Sequence, residues 1–466
     1  MNIKNFLDIV CKEIKYNPVK KPISEELETH LQEIKEDYIN NEKITNQEAE
    51  EKAVKQMGKP EEIGKKLNKI HKPKLDWKLL SLLCILSVYG LLISFCKIEP
   101  GDNSLIGKTI FEMIIGLVLG SIIYFYDYRK IKKYSNLIYI IAICIIIVTL
   151  FFGIPINGKK SHLYIGGIIT SINACTIAVP LFIIAFTGFL TNYNPDNTKK
   201  FNFEIFGVNI TIKKDLLKII ICSLFSLIVF TAIPSYIDAF LLAIVYITVS
   251  TIYIIKTSKN RKKILFIMYG SIISLSILLM FVTQTGIFRM QRLVLSFNPE
   301  LDPQGSGYTG MLQKEILENS KLIGEADTNI ITTDDYIISK ESNFTFIYLV
   351  GKIGIIGASI LVLVIIFTSI KLIINAKIIK NMYGKILIIG LSSLYILQSV
   401  WNILMNINLG IQQNINLPFV SSGGQFFVIN CLCMALILSV YRRKDINLDE
   451  NYECEFEKYN YTKKYR

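Results

Sequence analysis

Charge is what this chain has least of. Only 19% of its 466 residues are Asp, Glu, Lys or Arg, where a soluble chain of this size usually carries about a quarter. With 51% hydrophobic residues and a mean hydropathy of +0.42, the deficit excludes an ordinary soluble globule and points to membrane spans. Histidine is scarcer still. His30 and His71 have no companions at ligand spacing, so both read as surface or core residues and no metal site is expected. None of the nine cysteines makes a CxxC or zinc-ligand pair. Seven of them, Cys84, Cys96, Cys144, Cys175, Cys222, Cys431 and Cys433, lie in or beside apolar runs and read as small buried hydrophobes. After Met1 comes a mixed charged segment without a long apolar core, so no cleavable signal peptide is expected. The charge that is present leans one way, with Lys plus Arg 51 against Asp plus Glu 38, a net +13. No stacking-aromatic pattern accompanies the basic runs, which argues against nucleic acid as a partner. The excess suits orientation in a membrane and contact with anionic lipid heads.

What is there divides into a polar start and a long apolar remainder. Residues 1–74 read as a small soluble helical domain on the cytoplasmic side. Leu27, Leu31, Ile34 and Tyr38 recur three and four apart after Ser24, and Thr45-Asn46-Gln47-Glu48 forms a capping box ahead of Ala49, Ala53 and Met57. Gly58 and Pro60 end that helix and begin another, Pro60 to about Ile70. The stretch ending in Met57-Gly58-Lys59-Pro60-Glu61-Glu62-Ile63 resembles the helical prefix domain found ahead of some bacterial permeases. Such a module would dock a partner or pack on the membrane.

Apolar runs near 78–96, 106–126, 135–155, 168–190, 215–232, 236–255, 263–284, 344–370, 385–405 and 424–441 are each long enough to cross a hydrocarbon core at about 20 residues. Every second connector is basic: Arg129 to Lys133, Lys199 to Lys214, Lys256 to Lys263, Lys371 to Lys385, and Arg442 to Lys444. By the positive-inside rule the chain is expected to be an all-α, ten-span helical membrane protein with both termini cytoplasmic. The span domain covers 75–445, with a large outer loop at 286–343, and 446–466 forms a cytoplasmic tail. Met311, Leu312, Ile316 and Leu317 face Lys314, Glu315 and Glu318 in that loop, a pattern suited to lying on the outer membrane surface.

One irregular stretch between the last two runs stands out. In Asn416-Leu417-Pro418-Phe419-Val420-Ser421-Ser422-Gly423-Gly424-Gln425, Pro418 removes a backbone donor and the paired glycines permit unusual φ values. Irregular backbone at membrane depth is tolerated where it lines a polar cavity. Leu417 to Gly424 resembles the "LPFVSYGG" signature of the shape, elongation, division and sporulation (SEDS) family of FtsW/RodA/SpoVE-like membrane proteins, with Ser422 in place of Tyr. Four further stretches carry the resemblance over roughly 79–443. Asn157 to His162 resembles "NGxxRW", and Arg292 with Asn298 to Tyr308 resembles "NPxxDPxGxGYQ". Ser342 to Phe346 with Gly354 to Ala358 aligns with "TDFIFA…LGLIGA", and Gln398 with Asn402 matches a polar pair of the ninth span.

The resemblance implies polymerisation of the lipid-linked disaccharide-pentapeptide precursor of peptidoglycan, beside a transpeptidase of the class B penicillin-binding protein type. Such a transfer needs a carboxylate to deprotonate the acceptor hydroxyl and cationic groups, or a divalent cation, to stabilise the departing pyrophosphate. The family carboxylate falls at Asn343, and an amide has no useful basicity. Substitute candidates nearby are Glu341, Asp335 and Asp334. The family's "QPSExxK" reads Ser171 to Ile177 with Ala174 and Ile177 for its Glu and Lys. Its "QPDLGTA" reads Ile233 to Ala239 without Gln and Asp, and its acidic pair reads Gly351-Lys352. Candidates for lining the cavity and binding substrate are Lys160, Arg292, Tyr308, Gln313, Lys352, Gln398, Asn402, Pro418, Ser421, Ser422, Gly423 and Gly424. Lys352 either meets a lipid-linked phosphate or pairs with a carboxylate, and Asn402, Asn406 and Asn430 serve as interhelical glue. The leading expectation is a catalytically impaired cell-wall assembly protein. Its alternatives are an active glycosyltransferase with a relocated carboxylate and a transporter of a lipid-linked substrate.

Overall fold

A computed structural model describes residues 1–97, 104–156, 159–164, 171–193, 200–205, 208–233, 235–257, 264–265, 267–270, 272, 294–327, 342–421 and 424–445. The described chain forms two compact units, one of Met1–Leu75 with residues 441–445, the other of Asp76–Val440.

Four helices build the first unit: α1 (Ile3–Glu13), α2 (Lys20–Glu42), α3 (Asn46–Met57) and α4 (Pro60–His71). Helix α3 begins at a complete capping box, in which Thr45 accepts from the Glu48 amide and the Glu48 carboxylate accepts from the Thr45 amide. Gly58 ends it at φ +91, and Pro60 opens α4 where its missing N–H is not needed. Phe6, Val10, Ile14, Leu31 and Ala53 form the core. Helices α1 and α4 approach so closely that a Cβ on Gly64 would stand 2.7 Å from the Glu13 Cβ.

In the second unit, nine helices among the described residues are long and apolar enough to cross a membrane. They are α5 (Trp77–Cys96), α6 (Ser104–Phe125), α8 (Ser135–Phe152), α9 (Ala174–Thr191), α10 (Lys214–Ala232), α11 (Tyr236–Thr257), α14 (Ile355–Ile378), α15 (Met382–Asn406) and α16 (Gly424–Arg442), with the short α7 (Tyr128–Lys133) between the second and third. The expected seventh span, near 263–284, falls largely outside the described residues. Apolar side chains such as Leu117, Ile122, Phe125 and Phe151 are exposed on the outside of this bundle, the arrangement lipid permits and water does not. The protein is an integral membrane protein.

Helix α9 forms the centre, its Phe182, Phe186 and Phe189 meeting Tyr139, Phe230 and Tyr246 edge-on or tilted. Glycine lets neighbours approach it. A Cβ on Gly390 of α15 would lie 2.7 Å from Ile183. Asp76 is 3% exposed at the start of α5 and accepts from the Leu79 amide, from Asn375 Nδ2 (2.7 Å) and from Lys371 Nζ (3.1 Å).

Two sequence expectations are corrected. The eighth run does not begin a continuous span at 344. It opens with a short helix, α13 (Thr345–Ile353), breaks at Gly354 with φ +98, and restarts as α14. Two small antiparallel sheets also form in the connectors, on which the sequence reading was silent. One sheet joins β1 (Ile154–Ile156), β2 (Lys159–Tyr164) and β3 (Ser171–Asn173), and the other joins β4 (Lys200–Ile205) to β5 (Val208–Lys213). The loop helix α12 (Tyr308–Glu318) buries Leu312 and Ile316 in the protein core rather than laying them on a lipid surface.

Candidate functional site

The site is held together by amides. Ser342, Asn343 and Phe344 make a 3-10 turn leading into α13, and Asn343 is only 7% exposed. Its backbone carbonyl accepts from two side chains one turn apart on α15, Asn402 Nδ2 at 2.9 Å and Asn406 Nδ2 at 3.0 Å. Asn402 Nδ2 also donates to the Ile415 carbonyl (2.7 Å), and Asn406 Oδ1 accepts from the Ile347 amide (3.3 Å). Ser342 Oγ donates to Asn416 Oδ1 at 2.9 Å. The turn around Asn343 and the irregular stretch after α15, 74 residues apart at that bond, therefore share one polar network. Asn402 and Asn406 are fully buried and satisfy backbone groups that lipid could not. Gln398 stands half-buried one turn before Asn402.

The irregular stretch is a tight turn fixed from three sides. Val420 and Ser421 amides donate to the Leu417 carbonyl, and Ser421 Oγ accepts from the Leu417 amide at 2.8 Å. Pro418 precedes Phe419, which takes φ +66, the sequence order of a type II turn with a side chain where glycine is usual. Phe419 is 3% exposed and meets Phe427 edge-on, which holds it there. Against this turn lies α5, where a Cβ on Gly90 would come 2.5 Å from the Phe419 carbonyl. Gly424 is pressed by a side chain instead, since a Cβ there would fall 1.4 Å from the Glu112 carboxyl carbon and Glu112 would have to move. Glu112 thus sits at the start of α16, the end of a helix that favours negative charge. A small cavity beside it is bordered by Ser94, Thr109, Ser421 and Gly424. Gln425 clasps the backbone of Asn173, accepting from its amide (2.5 Å) and donating to its carbonyl (2.6 Å). Sequence reasoning missed that clasp, for which a polar residue ending the irregular stretch was the only signal.

Asn298 to Tyr308 folds into a knot beside this network. Pro299–Leu301 makes a 3-10 turn, Asp302 accepts from the Ser306 amide (2.9 Å), and the Gly307 amide returns to the Asp302 carbonyl (3.0 Å). A Cβ on Gly307 would meet the Pro299 carbonyl at 2.2 Å. Tyr308 begins α12, and Lys314 on that helix pairs with Glu300. Gln313 is fully buried. Lys352 pairs with Glu325 at 2.6 Å, the carboxylate-paired arrangement of its two expected readings. Lys160 is exposed in β2. Ser422, Gly423, Arg292, Glu341, Asp335 and Asp334 lie outside the described residues.

Two features bear on charge. Ala174 is fully buried and Ile177 half-buried at the start of α9, so neither position offers an ionisable group. Lys97 caps α5 with its Nζ buried and without a hydrogen-bond partner, 5.1 Å from the Tyr348 ring centre. Burial lowers its pKa to about 8, and the ring face partly compensates the charge. Among the described residues no group of three or more His, Cys, Asp or Glu could hold a metal ion.

Comparison with known proteins agrees with this geometry. A family model described as a cell cycle protein of the FtsW, RodA and SpoVE type matches residues 73–446. The probable peptidoglycan glycosyltransferase FtsW of Enterococcus hirae is 28% identical over 153 residues, 33% of this chain and 38% of that one. Over that match the chain spans well under half of the relative's length. The corresponding FtsW of Aliivibrio salmonicida is 23% identical over 380 residues, covering 79% of this chain and 89% of that protein. A solved structure of a peptidoglycan synthase complex, concerned with the coordination of polymerization and crosslinking, superposes with a TM-score of 0.62. It is 15% identical and covers 80% of this chain and 99% of its own, a likeness of fold.

Proposed function

The chain belongs to the FtsW/RodA/SpoVE family of cell cycle proteins, and on that premise we propose that it serves peptidoglycan assembly by binding lipid-linked precursor, or a synthesis partner, without polymerising it. The observation that carries this reading is the amide at 343. The turn that would present a carboxylate is built and clamped by Asn402 and Asn406, yet its side chain has no basicity to offer. Buried Ala174 in place of a second acid supports the same reading. The protein would sit in the cytoplasmic membrane with both termini inside, as the alternation of basic connectors requires. A transpeptidase of the class B penicillin-binding protein type is the proposed partner, since the similar fold occurs in a complex concerned with polymerization and crosslinking.

The test is a titration of the full-length protein in lipid nanodiscs with fluorescent lipid-linked disaccharide-pentapeptide. Saturable binding that weakens in Asn402→Leu, which frees the Asn343 turn from the irregular stretch, is the expected result. A protein that remains folded and binds no precursor would overturn the precursor-binding reading and leave only the synthesis partner.

A further inference from the structure

The helical unit at the start of the chain is electrically lopsided. Helices α1 and α4 run side by side in the same direction: Val10 and Glu13 border Gly64, and the Lys15 amide donates to Asn68 Oδ1 at 3.0 Å. Their last turns therefore finish at one end of the unit, and lysines collect there. Lys12, Lys15, Lys65, Lys66, Lys69 and Lys72 are all exposed, and among the described residues none of the six forms an ion pair. Acids near this end are fewer: Glu13 beside Gly64, Glu26 near His71, and Glu25, which Lys21 already pairs at 3.5 Å. Toward the opposite end the sign reverses. Glu28, Glu33, Glu36, Asp37 and Glu42 follow along α2 against Lys35 alone, and Glu61 and Glu62 open α4. A helix C-terminus welcomes a cation in its last turn, but six unpaired lysines on two helix ends exceed that need.

Chain connection fixes what this end can meet. Only residues 72–76 separate His71 of α4 from Trp77, the first residue of the span α5, at most about 20 Å of extended chain. Trp77 is 71% exposed, as suits an aromatic at the boundary of hydrocarbon and headgroups. Ile70 is 55% exposed among the lysines. We propose that the lysine-bearing end of α1 and α4 docks on the anionic phospholipid headgroups of the leaflet in which α5 begins. The unpaired ammonium groups complement phosphate charge, and the acids further along α2 are repelled by it, so the unit is oriented as well as held. Such attraction acts within a Debye length, about 8 Å in physiological salt, and the short connection keeps the lysines near that range. This surface belongs to the first unit alone and is independent of precursor binding.

The test reads the lysines directly. Full-length protein in nanodiscs of phosphatidylcholine, with or without phosphatidylglycerol, is acylated with an amine-reactive ester, and the rate at each lysine is followed by peptide mass spectrometry. Phosphatidylglycerol should slow Lys65, Lys66, Lys69 and Lys72 by about threefold or more. Lys43 and Lys55, exposed at the end of α2 and in α3, should keep their rates. Raising the salt to about 1 M, which shortens the Debye length to about 3 Å, should restore the slowed rates. In a chain carrying Lys66→Glu and Lys69→Glu, both outside the unit's core, phosphatidylglycerol should no longer protect Lys65 and Lys72. Equal rates in the two lipids, or slowing that reaches Lys43 and Lys55 alike, would overturn the proposal. So would protection that survives salt and the charge reversal, which marks burial against protein instead.

Discussion

At the scale of single residues, Asn343 and Lys97 show how burial sets what a group can do. Asn343 contributes its backbone, not its side chain, to the hydrogen bonds that organise the site, through the carbonyl held by Asn402 and Asn406. Lys97 is the costlier residue. Its folded pKa of about 8 lies below the ordinary 10.5 because burial disfavours the charged form. Between those two values the unfolded chain binds more protons than the folded one, so stability rises with pH across that window. Below about pH 8 the full penalty applies. Lys97→Met should therefore raise the melting temperature in detergent at pH 7, by an amount equivalent to about 1–2 kcal/mol once the lost ring contact is subtracted. The gain should fade as the pH approaches 10, and a gain that grows with pH would refute the assignment. Nothing in the sequence marked Lys97 as buried, because one Lys after an apolar run normally snorkels to water. Asn343, by contrast, was legible from its place in a known motif.

Elements come next, and here the close contacts decide. Gly424 begins α16 under the Glu112 carboxyl, and a methyl group at that position would overlap it. Gly424→Ala should destabilise the protein by about 1–3 kcal/mol, the usual cost of overpacking. Glu112→Ala in the same chain should recover most of that loss, giving a coupling of about 1 kcal/mol or more in a double-mutant melting cycle. Additive effects would show that Glu112 does not press on this glycine. Apolar runs placed the bounds of α5, α10, α11, α15 and α16 within a few residues, since a span must satisfy its own backbone over a fixed length, whereas the run read from 168 yields to β3 before α9 begins at Ala174. The break at Gly354 was not legible because the stretch from Phe344 to Ile370 is apolar on both sides of it, with Lys352 its one charge. The hairpin β4–β5 escaped for the opposite reason. Its charged ends, with Lys200 opposite Lys213, read as a basic connector.

For the whole molecule, the architecture followed from scarcity of charge and the alternation of basic connectors, and the site followed from resemblance more than from spacing. The amide network that joins Ser342 to Asn416 and Asn402 to Ile415 could not be read in advance, since it depends on which residues two distant turns bring within 3 Å of each other. What emerges is a scaffold of the FtsW/RodA/SpoVE family whose internal ties are intact at Asn343, where the resemblance places an acid. The central claim, proposed above, is that this scaffold does not catalyse transfer. The most direct measurement is polymerisation of lipid-linked precursor by the purified full-length wild type in liposomes, with and without a divalent cation, resolved as glycan chains on a gel. The account predicts no chains above the protein-free control under either condition; glycan chains made by the wild-type protein would contradict it.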